Sequence, residues 1–185
     1  MTEITRRKIK SFLKENSTKK LTLNIGAGTR KLYEFFPHQI RIDISKKSDI
    51  DILCDAHNLC FKDNVFDSVL CSEVLEHLRE PQAALDEIYR VMRKNGKLLL
   101  TTVFMYPYHN SPWDYFRFTK DGLAYLLRRW SKIKITPCCN RFEFIGNLIQ
   151  CYGDNDLKIM GIRFVLKLTS RDYNYTVGYH VVAEK

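Results

Sequence analysis

The sequence predicts an α/β protein built on an open, mostly parallel sheet with helices on both faces. Three observations carry that prediction. Short, nearly continuous apolar runs recur along the first hundred residues, a clear amphipathic helix separates two of them, and a pair of glycines follows directly on the first. Continuous apolar runs suit parallel strands buried on both faces, and their alternation with helices marks crossover connections.

Taken in order, LTLNI (21–25) reads as a buried strand, QIRIDI (39–44) as a second, DILCDA (51–56) as a third, FDSVLCS (66–72) as a fourth and GKLLLTTVF (96–104) as a fifth. Between the last two, EPQAALDEIYRVMRKNG reads as a helix. Pro81 suits its first turn, Ala84, Leu85, Ile88, Val91 and Met92 make one apolar stripe, and Asn95 with Gly96 is expected to stop it after Arg90, Arg93 and Lys94. Further on, DGLAYLLRRW (121–130) predicts a helix opened by Asp121, SKIKITPCC (131–139) a strand and NYTVGYHVVAEK (174–185) a terminal strand. Residues 140–173 carry no decisive pattern.

At 185 residues and 45% hydrophobic content the chain can bury one proper core, so a single domain is expected over 21–185, preceded by a basic leader helix over 1–20. No apolar run approaches the roughly 18 residues of a membrane span, and MTEITRRKIK lacks the apolar stretch of a signal peptide. A soluble, cytoplasmic protein is expected. Three of the six cysteines (Cys54, Cys60, Cys71) lie in apolar runs, no CxxC occurs, and Cys138 and Cys139 are adjacent, so reduced thiols and no metal are expected. Of the net +9, the leader holds +5, with seven Lys/Arg against two Asp/Glu. That charge reads first as a solvated helix face; an RNA or anionic-membrane contact is the alternative, and nucleic acid is not the expected partner.

Gly26 and Gly28 fall where the first strand must turn sharply into a following helix, and a missing side chain there lets a ligand approach the backbone. No GK[ST] follows, so the bend is not a phosphate-cradling loop, and Lys31 stands where a third glycine would complete GxGxxG. Asp43, at the end of the second strand, is placed to accept hydrogen bonds from both hydroxyls of a ribose. Asp55, at the end of the third, is placed to accept from an adenine amino group. Each is equally read as a loop-capping carboxylate when taken alone.

Taken together, LNIGAG, RIDIS and the long phrase DILCDAHNLCFKDNVFDSVLCSEVLEHLREPQAALDEIYRVMRKNGKLLLTT resemble the class I S-adenosylmethionine-dependent methyltransferases, in particular the group with a type 11 methyltransferase domain. The likeness covers about residues 20–125. It implies a Rossmann-like sheet of seven strands with the last antiparallel, S-adenosyl-L-methionine as cofactor and methyl transfer as the activity. By the same likeness Asn24, Ile25, Gly26, Ala27 and Gly28 line the amino-acid and ribose part of the cofactor, and Asp43 with Ile44 holds the ribose. Asp55 and Ala56 address adenine, with His57 shielding it or standing as an exposed loop residue. Cys71, Ser72 and Glu73 lie near the methionine. GAGTRK departs from the more acidic, glycine-rich loops of many members.

Methyl transfer from a sulfonium needs positioning and exclusion of water, and a hydroxyl acceptor adds a general base. MYPYHNSPWDYFRFTKDGL (105–123) supplies the candidates: His109 as base, Asp114 and Arg117 as acceptor-binding or loop-fixing groups. Asp114 and Arg117, three apart, are as readily an internal ion pair. His77 in VLEHL is a second base candidate or a structural partner of a loop carbonyl, and stands among the cofactor-side residues. The absence of an NPPY-like tetrapeptide after the fourth strand disfavours base-amino methylation. A small or carrier-linked acceptor with a hydroxyl, such as a sugar, is expected. The competing readings are a nicotinamide-dependent oxidoreductase and a non-catalytic binding module of the same fold. Nothing in the sequence fixes an oligomeric state.

Overall fold

A computed structural model describes residues 2–29, 31–46, 50–109, 113–152 and 175–185. Seven strands, β1 (Thr22–Ile25), β2 (Gln39–Asp43), β3 (Ile52–Leu53), β4 (Phe66–Ser72), β5 (Met92–Val103), β6 (Ser131–Pro137) and β7 (Gly178–Glu184), form one sheet in the order β3-β2-β1-β4-β5-β7-β6. β1, β2, β3, β4 and β5 pair in parallel, and β7 runs antiparallel to both β5 and β6. This is the seven-stranded sheet the resemblance implied.

Alternation along the strands divides the core between two faces. Val69, Cys71, Leu98 and Leu100 pack with Ala84, Leu85, Ile88 and Val91 of helix α2 (Pro81–Val91) and Leu123 of helix α3 (Lys120–Leu126). Leu70 and Leu99 point the other way, onto Ile9, Phe12 and Leu13 of helix α1 (Glu3–Glu15) and onto Phe35 and Phe36. The basic leader is therefore part of the packing. Thr2 caps α1 by accepting from Thr5 N at 3.2 Å, the Thr5 hydroxyl donates to Asn147 Oδ1 at 2.8 Å, and Lys8 pairs with Glu143 at 2.7 Å, both on helix α4 (Arg141–Tyr152).

Several elements differ from expectation, each for a local reason. No helix follows the glycine bend among the described residues. A turn in which Phe35 and Phe36 N–H groups donate to Leu32 O puts two phenyl rings on the face that α1 covers. α2 stops at Val91 and does not run on to Asn95, because Asn64 N and Val65 N take the carbonyls of Arg90 and Val91, at 3.1 and 2.8 Å, and Met92 already pairs with Phe66 in the sheet. α3 is opened by the Thr119 hydroxyl, which accepts from Gly122 N at 3.0 Å, and not by Asp121. β3 is only two residues long, and the terminal strand begins at Gly178. α4 falls in the stretch that carried no decisive pattern; residues 153–174 of it lie outside the described residues. No helix among the described residues is long and apolar enough to cross a membrane.

β7 carries a buried histidine, His180, stacked on Phe12 at 4.7 Å with no hydrogen-bond partner for Nε2 among the described residues. Burial, with Lys8 adding to it, pushes its pKa down to about 4 from 6.5. Between those values the unfolded chain takes up a proton that the folded chain refuses, so this residue lowers stability as pH falls through that window. His180→Phe is expected to gain on the wild type across it, by up to about 3 kcal/mol. Urea unfolding of both proteins at several pH values checks this. The difference is the readout because buried Glu76, with its pKa raised to about 7, contributes an opposite slope to both proteins. A difference that does not change with pH would show that His180 protonates freely in the fold.

Candidate cofactor and acceptor site

Strand order reverses around β1, whose neighbours β2 and β4 lie on opposite sides, and open α/β sheets bind ligands in the crevice beyond the carboxyl end of such a strand. Gly26 and Gly28 make the bend there, with φ of +60° and +53°. A Cβ on Gly26 would lie 2.3 Å from Val74 Cγ2, whereas one on Gly28 would meet nothing within 4 Å. The bend is pressed against the protein at its first glycine and open at its second. It is fixed to β2 by Ala27 N donating to Ile42 O and by Gly28 N donating to Asp43 Oδ2, both at 3.0 Å, while Ser45 N donates to Asp43 Oδ1 at 2.9 Å. Each Asp43 oxygen keeps lone-pair capacity for a further donor. Among the neighbours, Asn24 turns inward and donates to Gln39 Oε1 at 2.9 Å, Ile25 and Ala27 are buried, and Ile44 is 59% exposed. Asn24 and Ile25 are paired on both sides within the sheet, so the bend itself begins at Gly26.

Beyond β3, Asp55 and His57 close a small loop. The His57 N–H and ring Nδ1 both reach Asp55 Oδ1, at 2.9 and 2.7 Å, and His57 Nε2 accepts from Glu80 N at 3.3 Å. That set of partners ties the loop to the start of α2. Burial works to raise the Asp55 pKa, but the two His57 contacts hold it below the ordinary carboxylate value. Ala56 is buried beside it. At the end of β4, Cys71 lies wholly in the core, its thiol pushed far up by burial, so it is inert. Ser72 is buried and its hydroxyl meets Thr101 Oγ1 at 3.0 Å. Glu73, half-buried with φ of +57°, marks the tip of the strand.

The loop after β5 brings the acceptor-side candidates together. Arg117 spends all five donors: Nε on Tyr106 O, Nη1 on Asp114 Oδ1 and Phe116 O, Nη2 on Pro107 O and Asp114 Oδ2, the carboxylate contacts being 2.5 and 2.6 Å. The Asp114 side chain has no solvent exposure. Arg117 holds its pKa down to about 2, and the second Asp114 oxygen accepts from His109 N at 2.8 Å. Of the two roles open to this pair, the loop-fixing one is the one its bonds fill. The His109 pKa is lowered by burial, against the opposing effects of Pro107 O and Asp114. Its ring lies 5.1 Å from that of His77, which is hydrogen-bonded through Nδ1 to Trp113 O.

The residue that sequence reasoning missed is Glu76, on the 3-10 turn Leu75–His77. It is 0% exposed, its Oε2 accepts from Thr102 Oγ1 at 2.8 Å, and its Oε1 has no partner among the described residues. Burial raises its pKa to about 7, although its own backbone N–H, Thr102 and Arg117 pull the other way. The signal was in VLEHL: an acid set between Leu75 and Leu78, both of which pack in the core.

A seven-stranded sheet of this order, with β7 antiparallel and a glycine bend at the reversal, defines the class I S-adenosylmethionine-dependent methyltransferase fold. An S-adenosylmethionine-dependent methyltransferase from Archaeoglobus fulgidus shares it with a TM-score of 0.67 at 18% identity, covering 98% of this chain and 92% of that one. Residues 23–100 match the family described as a methyltransferase domain. An uncharacterised protein of Methanocaldococcus jannaschii is 37% identical over 98 residues, covering 48% of this chain and 43% of its own. A ubiquinone/menaquinone biosynthesis C-methyltransferase of Paraburkholderia phymatum is 26% identical over 110 residues, covering 59% and 43%. The chain thus spans less than half the length of these curated relatives.

Proposed function

We propose that this chain transfers a methyl group from S-adenosylmethionine to a small-molecule or carrier-linked acceptor, at a hydroxyl. The observation that carries the reading is the bond from Gly28 N to Asp43 Oδ2, which locks an open glycine bend to a ribose-type carboxylate at the strand-order reversal. The cofactor, when bound, supplies a methyl carbon made electrophilic by a sulfonium. The residues fit it. Asn24 to Gly28 shape the strand end and bend that face its amino-acid end, Asp43 accepts from the ribose hydroxyls, and Asp55 with Ala56 addresses adenine. Ile44 adds an exposed apolar side chain beside the ribose carboxylate, and Glu73 reaches the methionine end. His57 acts by holding the Asp55 loop. Asp114 and Arg117 position the loop that brings His109 to the acceptor side, where its imidazole is the base candidate. α1 and residues 21–185 work as one domain in this reading.

Calorimetry with S-adenosylmethionine, S-adenosylhomocysteine and NADH tests the cofactor; binding of NADH alone would overturn the reading. A labelled-methyl screen then compares hydroxyl-bearing sugars with a quinone-ring carbon, because the Paraburkholderia relative is a C-methyltransferase. Asp43→Ala removes the ribose acceptor and unpins Gly28, so S-adenosylhomocysteine is expected to bind more weakly by about 2 to 4 kcal/mol. Unchanged affinity would remove Asp43 from the site.

A further inference from the structure

We propose that Glu76, His77 and His109 form a binding site for one divalent first-row transition ion of the zinc or manganese kind. Each offers one ligand atom, and these atoms all lie within 4.8 Å of one another. An ion with bonds of about 2.1 Å holds tetrahedral ligand atoms about 3.4 Å apart, so modest side-chain rotation closes the set. The three come from two segments clamped together: Tyr115 N and Phe116 N, from the loop that carries His109, donate to Glu76 O at 2.9 and 3.3 Å.

The surroundings of each ligand point the same way. His77 Nδ1 bonds Trp113 O, and His109 Nδ1 lies 3.2 Å from Pro107 O. Each ring therefore donates its Nδ1–H to a main-chain carbonyl and keeps the Nε2 lone pair, which is how metal-bound imidazoles are commonly oriented. Pro107 O is itself held by Arg117 Nη2 at 3.0 Å. Glu76 supplies the independent sign: a wholly buried carboxylate whose Oε1 has no hydrogen-bond partner among the described residues. Such an oxygen is costly to bury alone, and an ion would complete it. Two imidazoles with one carboxylate suit zinc, manganese or iron better than the all-oxygen preferences of magnesium or calcium.

Three protein ligands leave a position open for water or an acceptor oxygen. In a consequence that rests on the methyl-transfer reading, an acceptor hydroxyl bound there would lose its proton to solvent more readily, its electron pair staying on the ion-bound oxygen. His109 would then serve as a ligand, and no protein base would be needed.

The test is calorimetric titration of the metal-free full chain with Zn²⁺ and with Mn²⁺, and visible spectra with Co²⁺ as a probe. The expected result is one ion per chain, bound at least tenfold more weakly by His77→Ala and by His109→Ala, with the Co²⁺ bands lost in both. The histidines are chosen because neither is a core residue, and unfolding curves of the metal-free variants establish that they fold. No stoichiometric ion on the wild type, or equal binding by folded variants, would overturn the proposal. S-adenosylhomocysteine binding is measured on the same samples: ion binding without nucleotide binding sinks the methyl-transfer reading and leaves the metal site standing, and nucleotide binding without an ion does the reverse.

Discussion

Arg117→Ala is expected to destabilise the protein by about 2 to 4 kcal/mol, the cost of breaking a partly buried ion pair from one side. The guanidinium is the hub of its loop, with five donors on five acceptors. Removing it leaves the Asp114 carboxylate, wholly shielded from solvent, with His109 alone to meet it among the described residues, through its N–H at 2.8 Å and its ring Nδ1 at 3.4 Å, and strips a donor from three main-chain carbonyls. Arg117→Lys keeps the charge but not the planar fork, so it should recover only part of the loss. Urea unfolding at neutral pH decides the point. A loss below about 1 kcal/mol would put this pair with ordinary surface ion pairs such as Arg93–Asp67, whose side chains are 50% and 27% exposed. The low Asp114 pKa sets the acid limit of the interaction: its contribution is complete above the unfolded value of 3.8 and is lost as pH falls toward about 2.

That hub shows what a sequence does and does not make legible. Asp114 and Arg117 were recognisable as a pair three apart, but the choice between binding a substrate and tying a loop depended on where the Tyr106, Pro107 and Phe116 carbonyls point. The five parallel strands and the glycine bend were legible because each is a local pattern: an apolar run, or a pair of residues that must take positive φ. The end of α2 was not, because the groups that stop it, Asn64 N and Val65 N, come from a segment 26 residues earlier than its last carbonyls. α4 did carry a signal. In NRFE, Asn140 Oδ1 accepts from Glu143 N at 3.0 Å and Glu143 Oε2 accepts from Asn140 N at 2.9 Å, a reciprocal cap written in two letters. The Glu76, His77 and His109 cluster had none, since His77 and His109 are brought together only by the ends of β4 and β5 lying side by side.

Gly26→Ala is the second substitution with a large expected effect, and its partner Gly28→Ala separates folding from binding at the same bend. Both glycines have the left-handed backbone, which costs a non-glycine residue about 1 to 2 kcal/mol. At Gly26 the new methyl also overlaps Val74 Cγ2 at 2.3 Å, adding the roughly 1 to 3 kcal/mol of an overpacked site, for a total of about 2 to 5 kcal/mol. Val74→Ala in that background is expected to return the overpacking part and leave the backbone part. At Gly28 there is no such neighbour. Its alanine should cost only the backbone share in urea unfolding, yet place a methyl in the mouth of the crevice and weaken S-adenosylhomocysteine in calorimetry. Equal stability losses for the two variants would mean that Val74 moves aside without cost. Full nucleotide affinity in Gly28→Ala would mean that the ligand does not approach the bend at its open glycine, and the assignment of the crevice would have to move toward the tip of β4.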